Sequence, residues 1–280
     1  MNSTRSYRMP AELVRLVFND VDDLADLAAL TRCSRFFQAE SQRLLYRSMT
    51  HKNGTVHFKF FSTIVKKPHL ASMVQVYHRH SDAHAQRRPL TTLIIRALPL
   101  MNNLKELIFG QDALWLDVRG LPAFIGPKCS FQLETLVSAK GRAGFEDIMN
   151  TVLESNISQT LKSLYCTHVD QKIKDLFTDN MIPQLTSFSG PLELVKFLLP
   201  GRNVVSLKII SDIYQMENKL HFQGVKTDLR RIESLCLVEH WHRTVHPRQF
   251  FQLMPSLQTV EIRDLTLEVN YVIRSSSVDS

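Results

Sequence analysis

The stretch VEHWHRTVH, residues 238–246, places His240, His242 and His246 close together. Histidines two residues apart share one face of a strand, and neutral imidazoles gathered there can ligate a metal. No cysteine stands beside them at metal-site spacing, and Glu239 would point to the opposite face, so no metal is expected. A second cluster, HRHSDAH over residues 78–84, is weaker as a ligand set and lies in a basic stretch. The four cysteines, Cys33, Cys129, Cys166 and Cys236, are scattered and form no CxxC pair. That pattern suits neither a disulfide framework nor a thiolate zinc site, and it favours a reducing compartment, cytoplasm or nucleus. GRAG, residues 141–144, is too short for a dinucleotide fingerprint. No glycine-rich phosphate loop, GxSxG elbow or HExxH motif occurs. With no catalytic constellation, the chain is expected not to be an enzyme and to carry no cofactor.

What remains is chemistry of binding. The chain has 280 residues, 44% of them hydrophobic, and a formal charge of +7. The surplus is local. Residues 51–100 hold Lys52, Lys59, Lys66, Lys67, Arg79, Arg87, Arg88 and Arg96 against a single acid, Asp82. Six of the 11 histidines share this segment. Such a stretch can dock on nucleic acid, an anionic lipid surface or an acidic protein, or can simply be a solvated connection. No aromatic-interleaved or glycine-rich motif accompanies it, which argues against nucleic acid. No apolar run approaches the roughly 18 residues that span a bilayer, and no apolar segment follows Arg5 and Arg8 as a secretory signal would require.

Two kinds of element must position any binding surface. Residues 10–46 read as three short helices. Pro10 suits a first helical position, with Leu13, Leu16 and Val17 following at helical spacing. Asp22 and Asp23 can cap a second helix bearing Leu24, Leu27 and Leu30. A third would carry Phe36, Phe37, Leu44 and Leu45. From residue 104 the pattern changes to a repeat: LKELIF, LETLVS, LKSLYC, LTSFSG, VVSLKI, IESLCL and LQTVEI. Successive starts are 29, 28, 24, 19, 28 and 25 residues apart, mostly within the roughly 20–29 residues of leucine-rich repeats. Helical stretches lie between them: AGFEDIMNTVLES, QKIKDLFTDNM, PLELVKFLLPG and PRQFFQLMP. Strand followed by helix, repeated, buries a continuous core by stacking neighbours. The Asn that usually closes such a repeat is missing from all seven units, so the backbone turns must be satisfied some other way.

The opening MPAELVRLVFNDVDDLADLAALTRCSRFF resembles an F-box. Its elements are Met9-Pro10, Glu12-Leu13, Leu16-Val17-Phe18, Leu27-Leu30 and Cys33-Ser34-Arg35-Phe36. Followed by repeats, the chain resembles the F-box/leucine-rich-repeat proteins common in mushroom-type fungi. The fold this implies is α/β: a three-helix F-box-like block (8–48), a basic connecting segment with the first helices of the solenoid (49–100), an irregular leucine-rich-repeat solenoid with a parallel sheet (101–272), and a disordered tail (273–280). The function it implies is the substrate-recognition subunit of a cullin-type (SCF) ubiquitin ligase, a monomer within a larger complex. The F-box would dock on a SKP-type adaptor, and through it a cullin, using Met9, Pro10, Leu13, Leu16, Val17, Cys33 and Phe36. Met9 and Cys33 replace the usual Leu and Val but remain apolar. The competing reading is a free-standing repeat scaffold whose basic segment contacts nucleic acid or an anionic surface.

In each repeat the period of two sends the third and fifth positions to the open sheet face. The third positions are Glu106, Thr135, Ser163, Ser187, Ser206, Ser234 and Thr259. The fifth are Ile108, Val137, Tyr165, Ser189, Lys208, Cys236 and Glu261. With His168, Trp241 and Arg263 expected just beyond the strands, Tyr165, His168, Lys208, Trp241 and Arg263 form the expected contact set for an unidentified target protein. Tyr165, Trp241 and Arg263 are the expected anchors, because aromatic and Arg side chains dominate interface energetics.

Overall fold

The computed structural model describes residues 10–79, 87–110, 129–138, 145–167, 177–178, 181–210, 225–238, 252–264 and 269–274. Three helices open it: α1 (Ala11–Asn19), α2 (Leu24–Leu30) and α3 (Arg35–Arg47). Pro10 is not the first helical residue but the N-cap, with ψ at 144°. Its carbonyl accepts from the Leu13 and Val14 amides at 3.1 and 3.2 Å. A proline suits that place because it lacks the N–H that a cap leaves unpaired. The Asp23 carboxylate caps α2 by accepting from the Ala25 amide at 2.7 Å, and the Ser34 hydroxyl caps α3 by accepting from the Phe37 amide at 3.1 Å.

These helices enclose a small core of their own. Val14, Phe18 and Leu27 are buried there, with Val21, Leu30, Phe37, Leu44 and Leu45 packed around them. The Phe18 and Phe37 rings meet at 5.3 Å. Glu40 on α3 ties the bundle together. It accepts from Arg15 Nε of α1 at 2.9 Å and from Arg43 Nε at 3.1 Å.

The C-terminus of α3 runs directly into β1 (Ser48–Met49), the first strand of a ten-stranded sheet. Then come α4 (Gly54–Lys66), α5 (Pro68–Ala71), β2 (Val76–Arg79), α6 (Arg87–Ala97), β3 (Glu106–Phe109) and β4 (Thr135–Ser138). They are followed by α7 (Phe145–Glu154), β5 (Ser163–Cys166), β6 (Ser187–Gly190), α8 (Leu192–Leu198) and β7 (Ser206–Ile210). The last described elements are α9 (Lys226–Leu229), β8 (Ser234–Val238), β9 (Thr259–Asp264) and β10 (Val269–Arg274). Strands pair in chain order throughout, β1 to β9 in parallel, and β10 returns antiparallel to β9. The protein is an α/β structure with a nine-strand parallel sheet.

All seven repeats become strands, each beginning at the third residue of its unit. Two further strands precede them: β1 straddles the expected end of the helical block at residue 48, and β2 lies in the segment expected to connect the helices to the repeats. At the other end, Ile273 and Arg274 belong to β10, paired with Val260 and Thr259, rather than to a disordered tail. An alternating run such as VNYVIR closes a sheet readily because it adds a ladder of hydrogen bonds at its edge.

In-register pairing stacks Tyr77, Leu107, Leu136, Leu164, Phe188, Leu207, Leu235 and Val260 in one fully buried row. A second buried row, Val74, Leu104, Leu133, Leu161, Leu185, Val204, Ile232 and Leu257, leads into the strands. The turns that lack the closing Asn are held by a recurring backbone step, with side chains such as Thr160 and Thr186 donating to the Leu133 and Lys162 carbonyls in two of them. The Lys105 and Glu106 amides both reach the Gln75 carbonyl, those of Glu134 and Thr135 reach Lys105, and the step recurs up to Gln258 and Thr259 on Glu233. Just before it, an apolar residue closes a tight turn: Leu104 on Met101, Leu185 on Ile182, Ile232 on Leu229, Leu257 on Met254.

Candidate functional site

The helical block divides its apolar residues sharply. Val14, Phe18 and Leu27 are 3–4% exposed, whereas Leu13 is 50%, Leu16 62%, Val17 55%, Leu24 61% and Phe36 43% exposed. The cause is arithmetic: α1 is nine residues long and presents one side to α3. Leu13, Leu16 and Val17, at spacings of three and one, occupy the other side. Pro10 and Cys33 are exposed too. The Cys33 thiol reaches the Ala29 carbonyl at 3.6 Å. Of the residues expected to face an adaptor, Pro10, Leu13, Leu16, Val17, Cys33 and Phe36 are thus all at the surface, and Met9 lies outside the described residues. Leu24 was not anticipated. Its spacing gave no signal, because a residue three before the buried Leu27 shares that residue's helix side by sequence alone.

Within the same block, Glu40 is held between two arginines, Arg15 and Arg43. Burial pushes its carboxyl up, but the hydrogen bonds and charges of Arg15 and Arg43 outweigh burial and hold it below its ordinary value.

The second surface is the open face of the sheet. Thr135, Ser163, Ser187, Ser206, Ser234 and Thr259 stand side by side on successive strands. This makes a row of small hydroxyl side chains. The adjacent row runs Tyr165, Ser189, Lys208, Cys236, Glu261. Because Ser189 is small, Lys208 reaches across it and places Nζ 5.7 Å from the centroid of the Tyr165 ring. Arg263 lies within β9, not beyond it, and grips Glu261 at 2.7 and 3.0 Å. Hydrogen bonding from Arg263 pulls the Glu261 carboxyl below its ordinary value against the opposing pull of burial. His168 and Trp241 lie outside the described residues, as do His240, His242 and His246.

At the other end of the face, His78 Nε2 meets Glu106 Oε1 at 2.6 Å across β2 and β3. That pair was missed with β2 itself. The available signal was Val74-x-x-Tyr77, one repeat length before Leu104. The strand-leading residues form a third charged feature, in which Glu134 pairs with Lys105 and Lys162, each at 3.0 Å.

Burial pushes the Cys129 thiol up to about 11 and the Cys166 thiol higher still. Burial, with Glu261 beside it, also raises Cys236. Raised thiols are poor nucleophiles at neutral pH. Among the described residues no group of three or more His, Cys, Asp or Glu could hold a metal, and no helix is long and apolar enough to cross a membrane. Set against known protein families and against proteins of curated function, the chain matches none.

Proposed function

We propose that this chain is a substrate-recognition subunit of a cullin-type ubiquitin ligase. On this reading the three N-terminal helices act as an F-box that docks on a SKP-type adaptor. The sheet and its helices act as an irregular leucine-rich-repeat solenoid that holds the target. One observation carries the proposal. Five large apolar side chains, Leu13, Leu16, Val17, Leu24 and Phe36, are left in water on a block whose own core is already filled. Leaving Leu13, Leu16 and Val17 together in water on one side of α1 is unfavourable unless a partner covers them, and helix faces of this kind are what groove-binding partners take up. The sheet face supports the second half. Its polar rows, with Tyr165 and Lys208 in contact, offer rigid anchors on a scaffold of parallel strands.

The test is capture of the intact chain by a purified SKP-type adaptor, alongside a Leu13→Asp/Leu16→Asp variant. Both positions are exposed, so the variant should keep the wild-type unfolding midpoint and lose capture. A folded wild-type chain that the adaptor does not retain sinks the proposal. Equal retention of the variant sinks it as well.

A further inference from the structure

The basic segment has no part in that reading. Its placement on α4 and α6 nevertheless gives it a definite shape. Lys52, Lys59, Lys66, Lys67 and Arg96 are all exposed, and none forms a salt bridge with any described residue. Lys105, Lys162 and Arg43 elsewhere in the chain are paired. Residues 51–100 contain one acid, Asp82, which lies outside the described residues. Among the described residues these five cations therefore have no ion-pair partner.

It is also aligned. Lys59 and Lys66 are seven residues apart on α4, two turns or about 10.5 Å along the axis. Lys52 stands one residue before the Asn53 cap, and Lys67 closes the far end. Between them Val56, 37% exposed, and Thr63 complete a 56–59–63–66 seam, the three-four spacing at which one helix meets another. The Thr63 hydroxyl already donates to the Lys59 carbonyl at 2.8 Å, so it asks no polar group of a partner. The opposite side of α4 holds His57, Phe61 and Ile64 in the core, which fixes the seam outward.

We infer that this seam is a docking surface for an acidic amphipathic helix of a partner protein. Carboxylates at seven-residue spacing would face Lys59 and Lys66, with an apolar residue over Val56. Nucleic acid fits less well. Val56 interrupts the basic row, and no exposed aromatic stands on α4 to stack a base.

The experiment uses the intact chain and a fluorescent synthetic helix of about 20 residues, long enough to hold helical structure, with Glu and Leu on one stripe. A scrambled peptide of identical composition and a duplex DNA of similar length are the comparison probes. The striped peptide should bind, weaken steeply with added salt, and exceed its scrambled form about tenfold. Lys59→Glu/Lys66→Glu, with circular dichroism confirming an unchanged fold, should weaken it by at least about tenfold. Equal binding of the scrambled peptide, tighter binding of the DNA, indifference to the charge reversal, or no binding at all each overturns the inference. No adaptor enters the assay, so its outcome is independent of the F-box proposal.

Discussion

Arg202 is 1% exposed and gives the sharpest test of how the sheet face is held in place. Its guanidinium donates from Nε to the Met181 carbonyl at 2.6 Å, from Nη1 to Phe197 and Pro200 at 3.0 and 2.9 Å, and from Nη2 to Thr178 at 2.5 Å. Thr178 and Met181 lie in the segment before β6, while Phe197 is in the last turn of α8 and Pro200 follows it. One side chain thus staples the segment before β6 to the helix after it. Beside Met181, Ile182 is held at φ 53°, a left-handed conformation that costs an L-residue about 1–2 kcal/mol. Charge-assisted hydrogen bonds contribute about 1.5–3 kcal/mol each, so four would total roughly 6–12 kcal/mol gross. Dehydrating the guanidinium offsets much of that, and Arg202→Met avoids this cost while keeping the packing. What Met leaves behind is the Met181, Phe197 and Pro200 carbonyls without this donor, while the Thr178 carbonyl keeps the Met181 amide at 3.1 Å, for a net loss of about 2–4 kcal/mol. Lys has one ammonium and cannot span the fork, so Arg202→Lys should recover less than half of the loss. Urea unfolding of the intact chain, followed by circular dichroism, reads both. A loss under about 1 kcal/mol for Met, or full recovery by Lys, would refute the argument that backbone capping is what Arg202 does. Because β6 stands between β5 and β7, the Met variant should also loosen the alignment of Tyr165 with Lys208.

Three further outcomes follow from the same geometry. A Cβ on Gly190 would fall 2.6 Å from the Phe188 ring and 2.9 Å from the Cys166 carbonyl, so Gly190→Ala should cost about 1–3 kcal/mol in urea unfolding. Added to Phe188→Leu, the same substitution should cost less, and an equal cost would place the clash elsewhere. Phe18→Ala should destabilise the helical block by about 3–5 kcal/mol, whereas Leu16→Ala should change stability by under about 0.5 kcal/mol; comparable losses would refute the division between core and surface on α1. Glu40 has its carboxyl held below the ordinary value of 4.5, so its stabilising contribution is complete above pH 4.5 and fades as pH falls through the lower folded value. An acid titration of stability should therefore be flatter below pH 4.5 in Glu40→Gln than in wild type, and identical acid limbs would show that the Arg15 and Arg43 contacts contribute nothing.

Sequence periodicity alone determined the local elements. The spacing of Leu13, Leu16 and Val17, with the caps at Asp23 and Ser34, is a matter of turns and nearest neighbours, and three helices form there. Apolar residues at the first and fourth positions of seven units became seven strands, because the period of two in a strand is equally local. That Leu13 and Leu16 lie outside while Val14 and Phe18 lie inside also follows from helix geometry, once α3 is known to cover one side. Tertiary structure decided the rest. In β2 a tyrosine and an arginine, Tyr77 and Arg79, take buried places that Leu and Phe fill in β3, so composition hid the strand. β1 is two residues long and has no pattern to read. The Tyr165–Lys208 contact depends on the register of three strands across 43 residues of chain, which no local spacing specifies. Arg202, read alone, is a surface residue by type. Only carbonyls brought from both sides of β6 could make its burial favourable, because a charge leaves water only where the fold supplies enough acceptors to replace it.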